Sequence, residues 1–383
     1  MFRIAAALVL VGVATRGAHD PSAHRSVAEI RASDLSVLRG SLDAFGNDGA
    51  SYRAIAARGP GSNYLARRVP FAYRVGEPLT VAMLHAVGIP LVWAFRMTDV
   101  VALIGIAVVL DTICRSFGAN VWQADAATAV ALLAYTAGPV VVRSPSSVID
   151  AGMWFFVLSS WLLVRRDRVF VAAAFLTCAV LWAETAVLFA PLLLVELAKR
   201  RRLLQASSVL VFAALVGLVA PRLLLHPSFD PGVRHGMLPA LRWNLDLFSR
   251  PGSGLRLASE LTLAAIGPPI VVMILRPPRE LLVRVVAVAG FGAVALSAYD
   301  PGRHITPIAM VLAPAFALRL RSTAVAWVAV IGSAGACVAR IVGVGFVAAE
   351  ATLTLVVAVW LVRADAISAS AAWAASHVDI DRE

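Results

Sequence analysis

LVWAFRMTDVVALIGIAVVLDTIC, residues 91–114, decides the fold class. It is apolar along most of its length and exceeds the about 20 apolar residues that carry an α-helix across a bilayer. Comparable runs recur toward the C-terminus, among them Val121 to Val142, Leu203 to Leu225 and Ile341 to Val362. Composition agrees: 60% of residues are hydrophobic and only 15% charged, and the mean hydropathy is +0.81, far outside the soluble range. The net charge of +11 does not point to nucleic acid, because the basic residues sit in short clusters between apolar runs, where a membrane protein keeps them. Lys199 is the only lysine among 34 basic residues, a bias that reflects a high-GC bacterial genome rather than any physical demand. Cys114, Cys178 and Cys337 lie in apolar runs without metal-like spacing, so they read as packing residues rather than disulfides or zinc ligands.

The expected architecture is an all-α integral membrane protein of about 10 to 12 transmembrane or short membrane helices, forming a single polytopic domain over residues 1–383. At the N-terminus, Ile4 to Ala14 is short for a span and matches the core of a signal peptide, and either reading sends Arg16 onward outside the cell. Residues 15–78 form a polar first outer loop with interfacial helices, 226–259 a Pro-rich second outer loop, and 363–383 a cytoplasmic tail. Four basic clusters mark the cytoplasmic side: Arg165-Arg166-Asp167-Arg168, Lys199 to Arg202, Arg276 to Arg284, and Arg319 with Arg321. Between Arg168 and Lys199 lie 30 residues, too few for two full spans of about 20, yet both ends are basic. Val169 to Ala183 and Thr185 to Ala198 are therefore expected as a hairpin of short helices turning near Glu184. Parity likewise puts Leu79 to Ala94 at the outer interface as a helix, with Leu91 to Cys114 as the single span there. Asp111, near the inner end of that span, is expected to reach cytoplasmic water.

This topology collects the unusual polar residues on the outer face. The first loop holds Asp43, then Asp48-Gly49-Ala-Ser-Tyr52, then Arg67-Arg68, then Tyr73-Arg74 and Glu77-Pro78. Asp48, beside a glycine at a helix start, suits either a general base for a hydroxyl or an ordinary helix cap. Arg67, Arg68 and Arg74 suit planar bidentate capture of a phosphate, or plain solvation of a loop. Asp150 and Glu184 sit where ionisable groups are costly, which favours a functional cavity wall; for Glu184 the alternative is a hairpin tip that reaches water.

On these residues the chain resembles the GT-C superfamily of glycosyltransferases, multi-span enzymes that take a sugar from a polyprenyl-phosphate carrier. Asp48-Gly49-x-x-Tyr52-x-x-Ile55-Ala56 is similar to the family's first-loop motif, and Phe71-Ala72-Tyr73-Arg74 with Glu77-Pro78 to the segment after it. Ser147-Val-Ile-Asp150, Ala183-Glu184-Thr185 and Arg303-His304-x-x-Pro307 resemble further recurrent positions, in the same order. The resemblance implies a lipid-linked sugar donor as partner, the outer face of the bacterial inner membrane as location, and Asp48 as catalytic base. Asp43, Tyr52, Arg67, Arg68, Tyr73, Arg74, Asp150, Glu184, Arg303 and His304 would bind substrate. The chain departs from the family in one respect: many members carry a paired acidic motif in the first loop that binds metal or acceptor, whereas four residues separate Asp43 from Asp48, so no cofactor is expected and a divalent metal stays only an alternative. A transporter or flippase for a lipid-linked or small anionic substrate is the rival reading, and an inactive homologue a third.

Overall fold

A computed structural model of the chain describes residues 1–17, 44–60, 62, 73–134, 138–143, 150–198, 203–225, 267–271, 279–290, 301–342 and 354–360, with isolated positions between 241 and 252 and at 352 and 363. Every regular element among these residues is helical. In chain order they are α1 (Phe2–Gly17), α2 (Ala44–Arg58), α3 (Gly76–Ala86), α4 (Leu91–Ser116), α5 (Val121–Leu133), α6 (Gly138–Arg143) and α7 (Asp150–Arg165). Then follow α8 (Val169–Trp182), a 3₁₀ segment (Glu184–Phe189), α9 (Ala190–Ala198), α10 (Leu203–Leu225), α11 (Arg279–Ala287), α12 (Pro301–Arg319) and α13 (Thr323–Val342).

Two of the described helices, α4 and the stretch Ser207–Leu224 of α10, are long and apolar enough to cross a bilayer. Each turns an exposed apolar face outward. On α4 this face is Trp93, Met97, Val100, Val101, Ile104 and Val108, spaced at three, four and one residues as one helical side requires. The opposite side of α4, with Phe95, Ile106, Leu110 and Ile113, is buried.

The helices pack around two buried clusters. One joins α2, α3, α4, α7, α8, α9 and α10 around Trp154 and Trp161; the other joins α1, α5, α12 and α13 with the last turns of α4. Close approach of the helix axes is set by small residues at the crossings. At Gly105 the ring of Phe155 on α7 lies so close that an added Cβ would sit 2.5 Å from it, and at Gly217 the neighbour is Val180 of α8, at 2.8 Å.

Turns close with residues that tolerate the left-handed backbone: Gly88 (φ 95°) between α3 and α4, Gly118 (φ 98°) between α4 and α5, and Asp167 (φ 59°) between α7 and α8. Asn120 caps α5: its Oδ1 accepts from the Gln123 backbone N–H at 3.1 Å, and Gln123 accepts from the Asn120 N–H at 3.0 Å. Gln123 Nε2 also donates to the Leu320 carbonyl at 2.8 Å, which fixes the α12–α13 turn beside the start of α5.

Several expectations are corrected. Val121 to Val142 is not one span: α5 stops at Leu133 and α6 begins at Gly138, followed by Pro139, which cannot continue a helix from the preceding turn. Leu79 to Ala94 is not one helix either, because Gly88 and Pro90 split it into the end of α3 and the first turn of α4. Asp111 does not rely on water; it is buried and paired with Arg115 at 2.8 Å and Arg3 at 3.6 Å. Asp48 is no cap, since α2 is helical from Ala44 onward.

The hairpin forms as expected in outline. α8 ends at Trp182, Ala183 is extended (φ −153°, ψ 130°), and the chain returns through the 3₁₀ segment and α9. Its return arm is not one α-helix: six residues are wound as 3₁₀ before α9 starts, with Pro191 in the first turn, where its missing N–H costs nothing.

Arg165, Arg284 and Arg115 lie at one end of the bundle, tied through Ser116 and Glu196, and the α12–α13 turn carrying Arg319 and Arg321 reaches the same end through Gln123. There Arg165 (3.2 Å) and Arg284 (2.6 Å) share the Glu196 carboxylate, and both guanidinium groups face the ring of Phe117, 3.7 and 4.7 Å from its centroid. A second network joins Arg3 and the Met1 amine to Asp125, at 2.5 and 2.9 Å. The candidate site lies at the opposite end.

Candidate functional site at the end away from the arginine clusters

Three segments meet there: α2, the residues leading into α3, and the turn between α8 and α9. Tyr52, on the third turn of α2, is buried at 1% exposure. Its hydroxyl accepts from Arg74 Nη1 at 3.3 Å. Arg74 also forks onto Glu184, donating Nε to Oε2 at 2.9 Å and Nη2 to Oε1 at 2.8 Å. Burial works against charge on Arg74, but the Glu184 carboxylate and the Tyr52 hydroxyl outweigh it and raise the guanidinium above its already high ordinary value. Burial alone would raise Glu184; the charge and hydrogen bonds of Arg74, helped by Arg222, hold its carboxyl below the usual range. The Arg222 guanidinium, in the last turn of α10, lies over the ring of Tyr73, 4.3 Å from its centroid.

Beside this cluster the Trp182 indole is clamped between two glycines. A Cβ at Gly76 or at Gly152 would collide with its ring atoms, so α3 and α7 approach α8 only because both positions lack one. The clamp aims Nε1 at Glu77, which accepts at 3.3 Å. Glu77 is 1% exposed and lies close enough to Asp150 and Asp99 for their charges to act on one another. Burial pushes the Glu77 carboxyl up to about 8; the bond from Trp182 opposes this and Asp150 adds to it. Neither carboxylate oxygen of Asp99, 2% exposed, has a hydrogen-bond partner among the described residues, nor does Glu77 Oε1. Thr185 adds a bond to the Met153 sulfur at 3.4 Å, which ties the 3₁₀ segment to α7.

The structure thus brings together Tyr52, Arg74 and Glu184, sets Tyr73 under Arg222, and places Asp150 near Glu77 and Asp99. Asp48 stands on α2 one turn before Tyr52, and Arg303 and His304 stand in the first turn of α12, at the end opposite Arg319; the side chains of all three lie outside the described residues. Asp43, Arg67 and Arg68 lie outside them altogether. Sequence reading missed Arg222, Trp182 and Asp99 as neighbours of the site. Arg222 is the one with a legible signal, a lone arginine at the end of a long apolar run. No group of three or more His, Cys, Asp or Glu among the described residues is placed to hold a metal ion, so Glu77, Asp99 and Asp150 do not close on a common centre.

Chemically, the described residues place a forked guanidinium on a carboxylate with a phenol beside it, a second guanidinium over Tyr73, and a group of mutually interacting carboxyls at Glu77, Asp99 and Asp150. The chain matches no protein-family model, no curated protein and no solved structure.

Proposed function

We propose that this chain is a multi-pass α-helical protein of the bacterial inner membrane that transfers a sugar from a polyprenyl-phosphate carrier to an acceptor at the outer face, as its GT-C resemblance implies. The observation that carries the reading is the convergence of Tyr52, Arg74 and Glu184. These residues were singled out from separate motifs, Arg74 standing 22 positions from Tyr52 and 110 from Glu184, and they meet within hydrogen-bond distance. Their position supports it too: the cluster lies opposite the end where Arg115, Arg165, Arg284 and the α12–α13 turn gather, which is the cytoplasmic end by the positive-inside rule. The outward apolar faces of α4 and α10 fit a lipid surround.

In this reading Arg74 and Arg222, with Arg303 and His304 from the start of α12, hold the carrier phosphate and stabilise its charge as the glycosidic bond breaks through an oxocarbenium-like state. Asp48 takes the acceptor proton. Incubating the purified protein with a panel of radiolabelled polyprenyl-phosphate sugars tests the activity. Asp48→Asn is expected to lower transfer by about 10²- to 10⁴-fold while leaving donor binding intact, and Arg74→Ala to weaken donor binding. Wild-type transfer by Asp48→Asn would remove Asp48 as the base.

A specific observation favours the rival reading, a transporter or flippase for a lipid-linked or small anionic substrate. Asp99 is a buried carboxyl without a hydrogen-bond partner inside α4, the type of group that carries protons in transporters. Substrate accumulation in reconstituted vesicles under a proton gradient, abolished by Asp99→Asn and not by Asp48→Asn, would favour it over the transferase.

A further inference from the structure

The Glu184 carboxylate is gripped by one cation and lies within electrostatic reach of a second. Arg74 grips it through two parallel N–H donors at 2.8 and 2.9 Å, the planar fork with which arginine also binds phosphate. Arg222, anchored 4.3 Å over Tyr73 next to Arg74 in sequence, acts on the same carboxylate through space. One guanidinium thus holds the internal anion directly, and a second, from a remote part of the chain, stands beside the same segment over Tyr73. That anion is built to leave: Glu184 keeps a 24% exposed side chain, opens a 3₁₀ segment, and follows an extended residue, Ala183, rather than a rigid α-helical turn. Arg74 is the less exposed partner, at 15%, and Tyr52 holds it from the other side, so Arg74 stays in place when the carboxylate departs.

The geometry points to Glu184 as an internal stand-in for a phosphate: it neutralises the Arg74–Arg222 anion site while the site is empty and is displaced by a phosphate-bearing ligand. This rests on the phosphate reading of Arg74 given above and adds its regulation. With Glu184 bound, Arg74, Arg222 and Glu184 sum to one positive charge; with it displaced, the two arginines face the ligand. Glu184 therefore competes with the ligand, and its swing exchanges one ion pair for another without leaving the arginines bare.

The test is binding of a long-chain prenyl phosphate, and separately of inorganic phosphate, to the purified full-length protein in lipid nanodiscs, as wild type, Glu184→Gln and Arg74→Ala. Glu184→Gln is expected to bind about tenfold more tightly, a factor worth one forked charge-assisted contact in competition, and to gain more thermal stabilisation from the probe than wild type does. Arg74→Ala is expected to lose binding. Equal or weaker binding by folded Glu184→Gln, with wild type still binding, overturns the stand-in and leaves the phosphate reading intact. If Glu184→Gln does not fold, Glu184→Asp withdraws the carboxylate by one methylene: tighter binding supports the inference and unchanged binding overturns it. Failure of wild type and every variant to bind either probe overturns the phosphate reading and the inference with it. A gain confined to prenyl phosphate assigns the site to a lipid headgroup; a gain with both probes assigns it to phosphate as such.

Discussion

At the scale of single residues, Trp182 links packing to the site. Its ring has no room on either side because Gly76 and Gly152 let α3 and α7 close on it, and that closeness is what aims its N–H at Glu77. Gly152→Ala should therefore destabilise the protein by about 1–3 kcal/mol, the usual cost of overpacking, because the added methyl meets a rigid indole that is itself 92% buried. Gly335 gives the control: a Cβ there meets nothing within 4 Å, so Gly335→Ala in α13 should be neutral or slightly stabilising through helix propensity. Denaturant unfolding of the two variants in matched detergent checks the difference, and equal stabilities would show that Trp182 moves aside freely.

At the scale of elements, the return arm of the hairpin is held at both ends by charge. Glu184 meets Arg74 at the start of the arm, and Glu196, in the last turn of α9, meets Arg165 from α7 and Arg284 from α11. An arm of 15 residues from Glu184 to Ala198, six of them wound as 3₁₀ with poorer hydrogen bonding, needs such anchors to keep its course. Removing Glu196 takes away the carboxylate that two arginines share in a buried position. Glu196→Ala is expected to cost about 3–5 kcal/mol, whereas replacing Arg165, Glu196 and Arg284 together by apolar residues of similar size should cost much less. Thermal unfolding of the single and triple variants separates these outcomes; a single variant no less stable than the triple would mean that water already screens the cluster. The hairpin itself was legible in the sequence, because two basic ends enclosed too short a run for two spans. Its 3₁₀ segment was not, since nothing in Glu184 to Phe189 except the nearby Pro191 distinguishes it from an α-helical run.

For the whole molecule, the described arginine clusters and the site occupy opposite ends, and that polarity can be measured. Single cysteines at Val87, 77% exposed in the α3–α4 turn, and at the exposed Arg168 and Arg321 should react differently with a membrane-impermeant thiol reagent. In intact cells with permeabilised outer membranes, Val87→Cys is expected to label directly, and Arg168→Cys and Arg321→Cys only after the inner membrane is opened. Labelling of Val87→Cys and Arg168→Cys from the same side would remove both the orientation and the site built on it.

The sequence by itself determined what one-dimensional pattern can carry: helices throughout the described residues, the long apolar runs of α4 and α10, the shared end of the described basic clusters, and a break near Glu184. Hydrophobic run length and charge position are local quantities, so they survive reading in one dimension. Where long apolar runs are interrupted was decided by Gly88-Ile-Pro90 and Gly138-Pro139, signals present in the sequence yet weak beside the hydrophobicity around them. Only the tertiary structure decided which polar groups are partners. Arg74 finds Glu184 across 110 positions, Trp182 finds Glu77 across 105, and Asp111 finds Arg3 instead of water. Such pairings depend on which helix faces meet and how closely, and the small residues that allow the approach, Gly76 and Gly152, look like any other glycine until the indole between them is seen.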